Sequence, residues 1–221
     1  MIPLFDNNKR RGNPAVNILL ILSNIAVFGY QLLLFQEGKL DAAVREFAFT
    51  PALFMDDPGG RALTIVTSMF MHGGWLHLIF NLWFLWLFGN VVEERLGSFR
   101  YLLLYFTAGV GAVAAQFVVA PGSPIPMLGA SGAIAGVLGA YLVFFPRALI
   151  FTLVPLWFAP IIPVPAFIFL VLWFFLQIWY GLGSIMATEE TGGVAWWAHF
   201  GGFVVGFWLS RRLDKGRRSV A

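Results

Sequence analysis

The stretch Gly129-Ala-Ser131-Gly-Ala-Ile-Ala-Gly-Val-Leu-Gly-Ala-Tyr-Leu-Val-Phe-Phe145 decides the fold. It is an apolar run with a serine at its mouth and no charged residue before Arg147. A second run, Ala195-Trp-Trp-Ala-His199-Phe-Gly-Gly-Phe-Val-Val-Gly206, carries a histidine in the same kind of setting. A hydrocarbon environment penalises a polar side chain by about a few kcal/mol unless it is paired or faces water. Serine and histidine are also the residue types that together make an activated nucleophile. Polar chemistry set among Leu, Phe and Gly points to catalysis within a membrane.

Composition agrees with a membrane setting. The 221 residues are 59% hydrophobic and 11% charged, with a mean hydropathy of +0.81. A soluble domain carries roughly 25% charged residues, so this chain lacks the polar residues to cover a water-facing surface. Zero cysteines exclude disulfides and Cys-based metal sites. The tails 1–16 and 210–221 leave no room for a soluble domain, and the expectation is one polytopic domain over residues 1–221.

Six stretches are apolar and long enough to cross, or nearly cross, a bilayer: about Asn17–Phe35, Leu76–Val92, Tyr101–Val119, Ser131–Phe145, Val164–Tyr180 and Ala195–Leu209. Between the fourth and fifth, Arg147–Pro163 is apolar but broken by Pro155, Pro160 and Pro163, and reads as a loop or an interfacial piece. The first span is too long for a signal-peptide core and lacks a small-residue cleavage site, so it reads as an uncleaved anchor. The expected fold is therefore an all-α six-helix membrane bundle. Six spans put both termini on one side. Placing them in the cytoplasm leaves Lys9, Arg10, Arg11, Arg95, Arg100, Arg147, Arg211, Arg212, Lys215, Arg217 and Arg218 inside, and only Lys39, Arg45 and Arg61 outside. That asymmetry satisfies the positive-inside rule. The positive charge is thus a matter of topology and lipid headgroups, and no nucleic-acid partner is expected.

Counting outward from the cytoplasmic ends, Ser131 lies about 24 Å above Arg147, His199 about 18 Å above Arg211, and His77 and Asn81 about 24 and 18 Å above Glu93. In a hydrocarbon core roughly 30 Å thick, three spans place these four polar residues in one layer. The Pro-rich run Pro121-Gly-Ser-Pro-Ile-Pro126 precludes helix just before Ser131, and irregular backbone at that depth needs protein cover or a water-filled cavity. His77 and Asn81 share a helix face at i, i+4. With the Ser131 N–H at a helix start, they form a candidate oxyanion hole. Gly132, Gly136 and Gly139 face the prospect of close contact with Gly201, Gly202 and Gly206, which would bring Ser131 and His199 together. No Asp or Glu lies near that layer, so a catalytic pair would be a dyad.

Plainer readings stand beside this one. Gly/Ala/Ser runs commonly serve helix packing, an intramembrane histidine is often structural, and Trp83, Phe84, Trp86 and Phe88 read as lipid-facing bulk and interface anchors. The joint pattern favours a site.

Four motifs in register carry a resemblance: His72-Gly-Gly-Trp-Leu-His77-Leu-Ile-Phe-Asn81, Glu93-Glu-Arg-Leu-Gly97, Gly129-Ala-Ser-Gly-Ala-Ile-Ala-Gly136 and Ala198-His199-Phe-Gly-Gly202-Phe-Val-Val-Gly206. From about Arg61 to Leu209 the chain resembles the rhomboid intramembrane serine proteases. The resemblance implies Ser131 as nucleophile, His199 as general base and acid, and His77, Asn81 and the Ser131 N–H as the oxyanion hole. It implies structural roles for Arg95 and Gly97 on the cytoplasmic side and for His72 in the first outer loop, alongside the helix-contact glycines Gly202 and Gly206. It implies single-span membrane protein substrates entering between spans two and five, under a mobile loop at about Gly183–Gly193. No cofactor or metal is called for, and the expected location is a bacterial-type plasma membrane. Two positions depart from the family pattern: Leu63-Thr64 stands where many members have Trp-Arg, and Ala135 where many carry an aromatic ring that packs on the histidine. Trp196 or Trp197 is then a candidate to orient His199. Two rival readings remain: a catalytically silent rhomboid-like protein that binds membrane clients, and a small transporter or proton conductor using His77 and His199.

Overall fold

Long apolar runs without internal proline satisfy their backbone polar groups within one helix, the form a bilayer requires. The computed structural model describes residues 1–10, 12–154, 160–186 and 195–214. Its principal helices are α1 (Ala15–Gln36), α2 (Trp75–Leu96), α3 (Ser98–Val119), α4 (Ser131–Phe144), α5 (Ala166–Met186) and α6 (Trp196–Leu213). Four of them, α1, α2, α3 and α5, are long and apolar enough to cross a membrane, and α4 is apolar but shorter. Short helices at Leu40–Phe47, Pro51–Asp56, Pro58–Arg61 and Thr64–Thr67 fill the connection between α1 and α2.

The protein is mostly helical, and the expectation of an all-α fold is corrected by a three-stranded antiparallel sheet. Strands β1 (Ile2–Asp6), β2 (Leu149–Leu153) and β3 (Ile161–Pro165) lie in the order β1-β2-β3. Part of the expected amino-terminal tail and much of the expected loop 147–163 are therefore strand. The prolines explain both the misreading and the outcome. Pro3, Pro163 and Pro165 sit on the two outer strands, where a missing N–H does not interrupt a central ladder. The central strand, Leu149-Ile-Phe-Thr-Leu153, contains no proline and alternates half-buried and buried positions. Phe5 stacks on Phe151 with ring centroids 4.6 Å apart, fastening β1 to the sheet.

The helices are arranged with amides inside and many apolar side chains outside. The buried stripe of α1 is Asn17, Leu20, Asn24, Phe28 and Gln31, whereas Leu19, Leu22 and Leu33 are exposed. Each amide in that stripe has a partner. Asn17 Nδ2 donates to the Leu85 carbonyl (2.8 Å) and to Asn90 Oδ1 (2.7 Å), and its Oδ1 accepts from the Tyr101 hydroxyl (2.6 Å). The Leu85 carbonyl opens the π-helical stretch Leu85–Gly89 in α2, where the usual i→i+4 ladder is displaced and a side-chain donor is welcome. Buried Glu93 caps the start of α1, accepting from the Val16 and Asn17 backbone N–H groups at 3.1 and 2.7 Å, and it also accepts from the Ser98 hydroxyl at 2.6 Å. A carboxylate there meets both the orphan donors and the positive end of the helix dipole.

Helix α4 is the hub, with every residue from Ala133 to Tyr141 buried. Its glycines let α3 and α6 approach at backbone distance: a Cβ on Gly132 would lie 2.6 Å from Ala112 Cβ, and one on Gly139 would lie 2.8 Å from the Phe207 nitrogen. Phe88, read from sequence as lipid-facing, is fully buried against Tyr141, and Trp83 donates its indole N–H to the Pro3 carbonyl at 2.7 Å. Phe88 therefore serves the interior rather than lipid, while Trp83 stays exposed and ties α2 to the sheet.

Candidate active site

Ser131 is the first residue of α4, so its backbone N–H and those just after it have no intrahelical carbonyl to reach. Backbone hydrogen bonds hold the irregular segment before it. Phe49 and Met127 exchange hydrogen bonds at 3.2 and 2.7 Å, and the Gly129 N–H donates to the Ser68 carbonyl at 2.9 Å. Gly129 has φ +120°, a conformation that favours glycine, and a Cβ there would lie 2.6 Å from His77 Nε2.

The close approach of α4 and α6 delivers the histidine. His199 Nε2 lies 2.8 Å from Ser131 Oγ. On the other side of the ring, Nδ1 lies 2.8 Å from Gln177 Oε1 on α5, and Gln177 Nε2 donates to the Trp173 carbonyl at 3.1 Å. Aromatic rings flank the imidazole: Trp173 at 6.0 Å and Trp196, edge-on, at 6.2 Å between centroids. Trp197, the other candidate, packs instead on Phe200 at 5.8 Å and beside Gly181. Ala135, where a ring was missing from the family pattern, is fully buried in the α4 core.

His77 and Asn81 converge on Gly129, two residues before the serine: the Cβ position of Gly129 is 3.7 Å from Asn81 Nδ2 as well as close to His77 Nε2. The Gly73 N–H points at His77 Nδ1, at 3.4 Å, which makes Nδ1 the acceptor and leaves the Nε2 proton as the donor toward the site. Asn81 Nδ2 is buried and has no partner among the described residues. A buried donor without a partner carries a cost of about 1–3 kcal/mol, which an incoming carbonyl oxygen would relieve.

His72 packs beside this cluster. Gln31 of α1 clamps its backbone from both sides, accepting from the His72 N–H at 2.9 Å and donating to its carbonyl at 3.0 Å. Its ring packs edge-on against His77 at 5.2 Å, and Nδ1 faces the Phe70 carbonyl at 3.2 Å. Burial, with a smaller contribution from neighbouring His77, lowers the His72 pKa to about 4, so the ring is neutral at pH 7. At the opposite end of the bundle, Arg95 pairs with Asp214 at 3.0 Å and covers the Phe144 ring, while Gly97, at φ +81°, makes the turn between α2 and α3. Gly202 and Gly206 press on the backbone of Gly132 and Gly136. Pro155, Arg11, Lys215, Arg217, Arg218, Glu189, Glu190 and most of the expected mobile loop, residues 187–193, lie outside the described residues.

Gln177 and Gln31 escaped the sequence reading, and Glu93 entered it only as the end of a span and the start of a motif. Each is a strongly polar side chain in or beside an apolar run, which is itself the signal that could have found them.

Comparison with known proteins bears on the whole arrangement. The chain is 46% identical over 83 residues to Rhomboid protease GluP of Bacillus subtilis (strain 168), covering 38% of this chain and 16% of that protein. It is 45% identical over 71 residues to Rhomboid-like protein 11, chloroplastic, of Arabidopsis thaliana, covering 32% of this chain and 25% of that one. It is 30% identical over 165 residues to Presenilin-associated rhomboid-like protein, mitochondrial, of Homo sapiens, covering 70% of this chain and 39% of that one. The chain thus spans well under half the length of these curated relatives. The model of the rhomboid domain matches residues 59–214, a segment that holds Ser131, His199, His77 and Asn81 together, and by that match the chain belongs to the rhomboid family.

Proposed function

We propose that this protein is an intramembrane serine endopeptidase that cleaves single-span membrane proteins in or near their transmembrane segment, using a Ser131–His199 dyad. In this reading all six principal helices cross the bilayer and both termini are cytoplasmic, in a bacterial-type plasma membrane. The observation that carries the reading is the 2.8 Å approach of His199 Nε2 to Ser131 Oγ.

The chemistry follows from the atoms at hand. Ser131 Oγ attacks the scissile carbonyl carbon while its proton passes to His199 Nε2. The carbonyl oxygen becomes an oxyanion, met by the Ser131 N–H, the Asn81 amide and the His77 Nε2–H. Collapse of the tetrahedral species expels the amine, which takes the proton back from His199 and leaves an ester on Ser131. A water, deprotonated by the same nitrogen, then hydrolyses that ester.

The test is covalent labelling of purified wild-type protein by a fluorophosphonate, together with cleavage of a reconstituted single-span substrate. Ser131→Ala loses both label and cleavage, and His199→Ala loses cleavage, while each variant keeps the wild-type helical content. Cleavage that persists in purified Ser131→Ala sinks the assignment. Intact folding with no labelling and no cleavage in the wild type favours a client-binding relative instead.

A further inference from the structure

Gln177 stands in the middle of an apolar helix, 6% exposed, where a leucine would pack without any polar cost. Both ends of its amide are engaged, and the pairing is not interchangeable. The Trp173 carbonyl has no proton, so the group facing it at 3.1 Å is the amide NH2. The amide oxygen therefore faces His199 Nδ1 at 2.8 Å, and an oxygen acceptor requires that nitrogen to carry a proton. In a neutral imidazole Nε2 is then bare, and Nε2 is the atom 2.8 Å from Ser131 Oγ. This is the tautomer a general base needs.

We propose that Gln177 is a positioning residue for His199: its amide oxygen holds the Nδ1 proton, fixes the tautomer and sets the plane of the ring. This deepens the serine-protease reading and rests on it for the catalytic consequence. The amide takes the place that an acidic residue occupies in a triad, without placing a charge in the membrane. It is itself oriented by the carbonyl one turn earlier in α5. Trp173 and Trp196 restrict the ring from its sides, but neither supplies an acceptor for Nδ1.

Two variants and one spectroscopic measurement test this. Gln177→Leu removes the acceptor at nearly constant volume; Gln177→Glu keeps an oxygen at the same reach. Turnover on a reconstituted single-span substrate is expected to fall on the order of tenfold to a hundredfold in Gln177→Leu, with the apparent Michaelis constant unchanged. That is less than the ~10⁴-fold seen when a triad is locked in the wrong tautomer, because leucine imposes no tautomer. Gln177→Glu keeps the oxygen facing Nδ1 but loses the amide donor to the Trp173 carbonyl, and is expected to recover part of the loss. Nitrogen-15 spectra of ring-labelled histidine, with the His199 signals identified by their loss in His199→Ala, should show a protonated Nδ1 and a bare Nε2 in the wild type. The distinction should be blurred or reversed in Gln177→Leu. A folded Gln177→Leu with wild-type turnover, a defect confined to the Michaelis constant, or a wild-type His199 with unprotonated Nδ1 overturns the proposal. Should Gln177→Leu not fold, the wild-type spectrum and Gln177→Glu decide it. The tautomer is read without substrate, so a proteolytically inert wild type with Nδ1 protonated refutes the protease reading and leaves the hold of Gln177 on the ring intact.

Discussion

Replacing Gly202 by alanine adds one methyl group at a backbone contact between the two helices that carry Ser131 and His199. A Cβ on Gly202 would overlap the Gly132 carbonyl oxygen and lie 3.0 Å from its carbon and 3.5 Å from the Ala108 oxygen. All three atoms are backbone atoms inside helices, so no rotamer change relieves them. Restoring ordinary contact, at about 3.5 Å between heavy atoms, requires α4 and α6 to part by about 1 Å or more. Gly132 follows Ser131, and Gly202 lies one turn beyond His199, so the displacement acts directly on the 2.8 Å bond between them. Lengthened by that much, the pair falls outside the ~3.2 Å limit of a hydrogen bond. Misplacement by 1 Å costs on the order of a hundredfold in rate, and overpacking of this kind costs about 1–3 kcal/mol in stability.

Gly202→Ala is therefore expected to remain folded with a lowered unfolding midpoint, and to lose about a hundredfold in turnover. The assay pairs turnover on a reconstituted single-span substrate with thermal unfolding in the same detergent. Gly29→Ala is the control, since a Cβ there meets nothing within 4 Å, and it should leave turnover unchanged without lowering the unfolding midpoint. If Gly202→Ala cleaves within about threefold of the wild-type rate, close contact between α4 and α6 is not what aligns the dyad.

Asn81→Ala should reduce turnover on the order of tenfold to a hundredfold with little change in apparent affinity, because an oxyanion donor acts on charge that develops in the transition state; a change in the Michaelis constant alone would make Asn81 a docking residue. Glu93→Ala strands the Val16 and Asn17 N–H groups and should lower stability by about 1–3 kcal/mol, read as a shift in unfolding midpoint, while the folded fraction keeps wild-type turnover. A mechanism in which imidazole takes the proton of Ser131 needs no metal-bound water, so EDTA should leave turnover unchanged; loss of activity that zinc restores would contradict the Ser–His assignment.

The helical frame was legible in the sequence because hydropathy over twenty residues is a bulk property that little else overrides. The sheet was not, because proline was read as a breaker without asking on which strand it would fall. Pro163 and Pro165 terminate a ladder only if β3 is flanked on both sides, and β3 is an edge. The run Leu149-Ile-Phe-Thr-Leu153 is rich in β-branched and aromatic residues and had the composition of a strand. Its partner β1, however, lies more than 140 residues away, beyond any local pattern.

The site was partly legible for one physical reason and partly missed for the same one. Polar side chains in apolar helices are expensive, and that cost singled out Ser131, His199, His77 and Asn81. Applied to nucleophiles, histidines and acids, it left out most amides. Yet Asn17, Asn24 and Gln31 recur at i, i+7 and i+14, which is a single face of α1, and all three are buried while Leu19, Leu22 and Leu33 on the same helix face outward. Asn90 and Gln177 obey the same rule in α2 and α5. In a chain of this composition apolar periodicity says little about which side of a helix faces the protein, because lipid accepts leucine as readily as the interior does. The amides carry that information instead. Reading them first would have turned α5 so that Gln177 faced the interior with Leu170 and Trp173, toward the helix that bears His199.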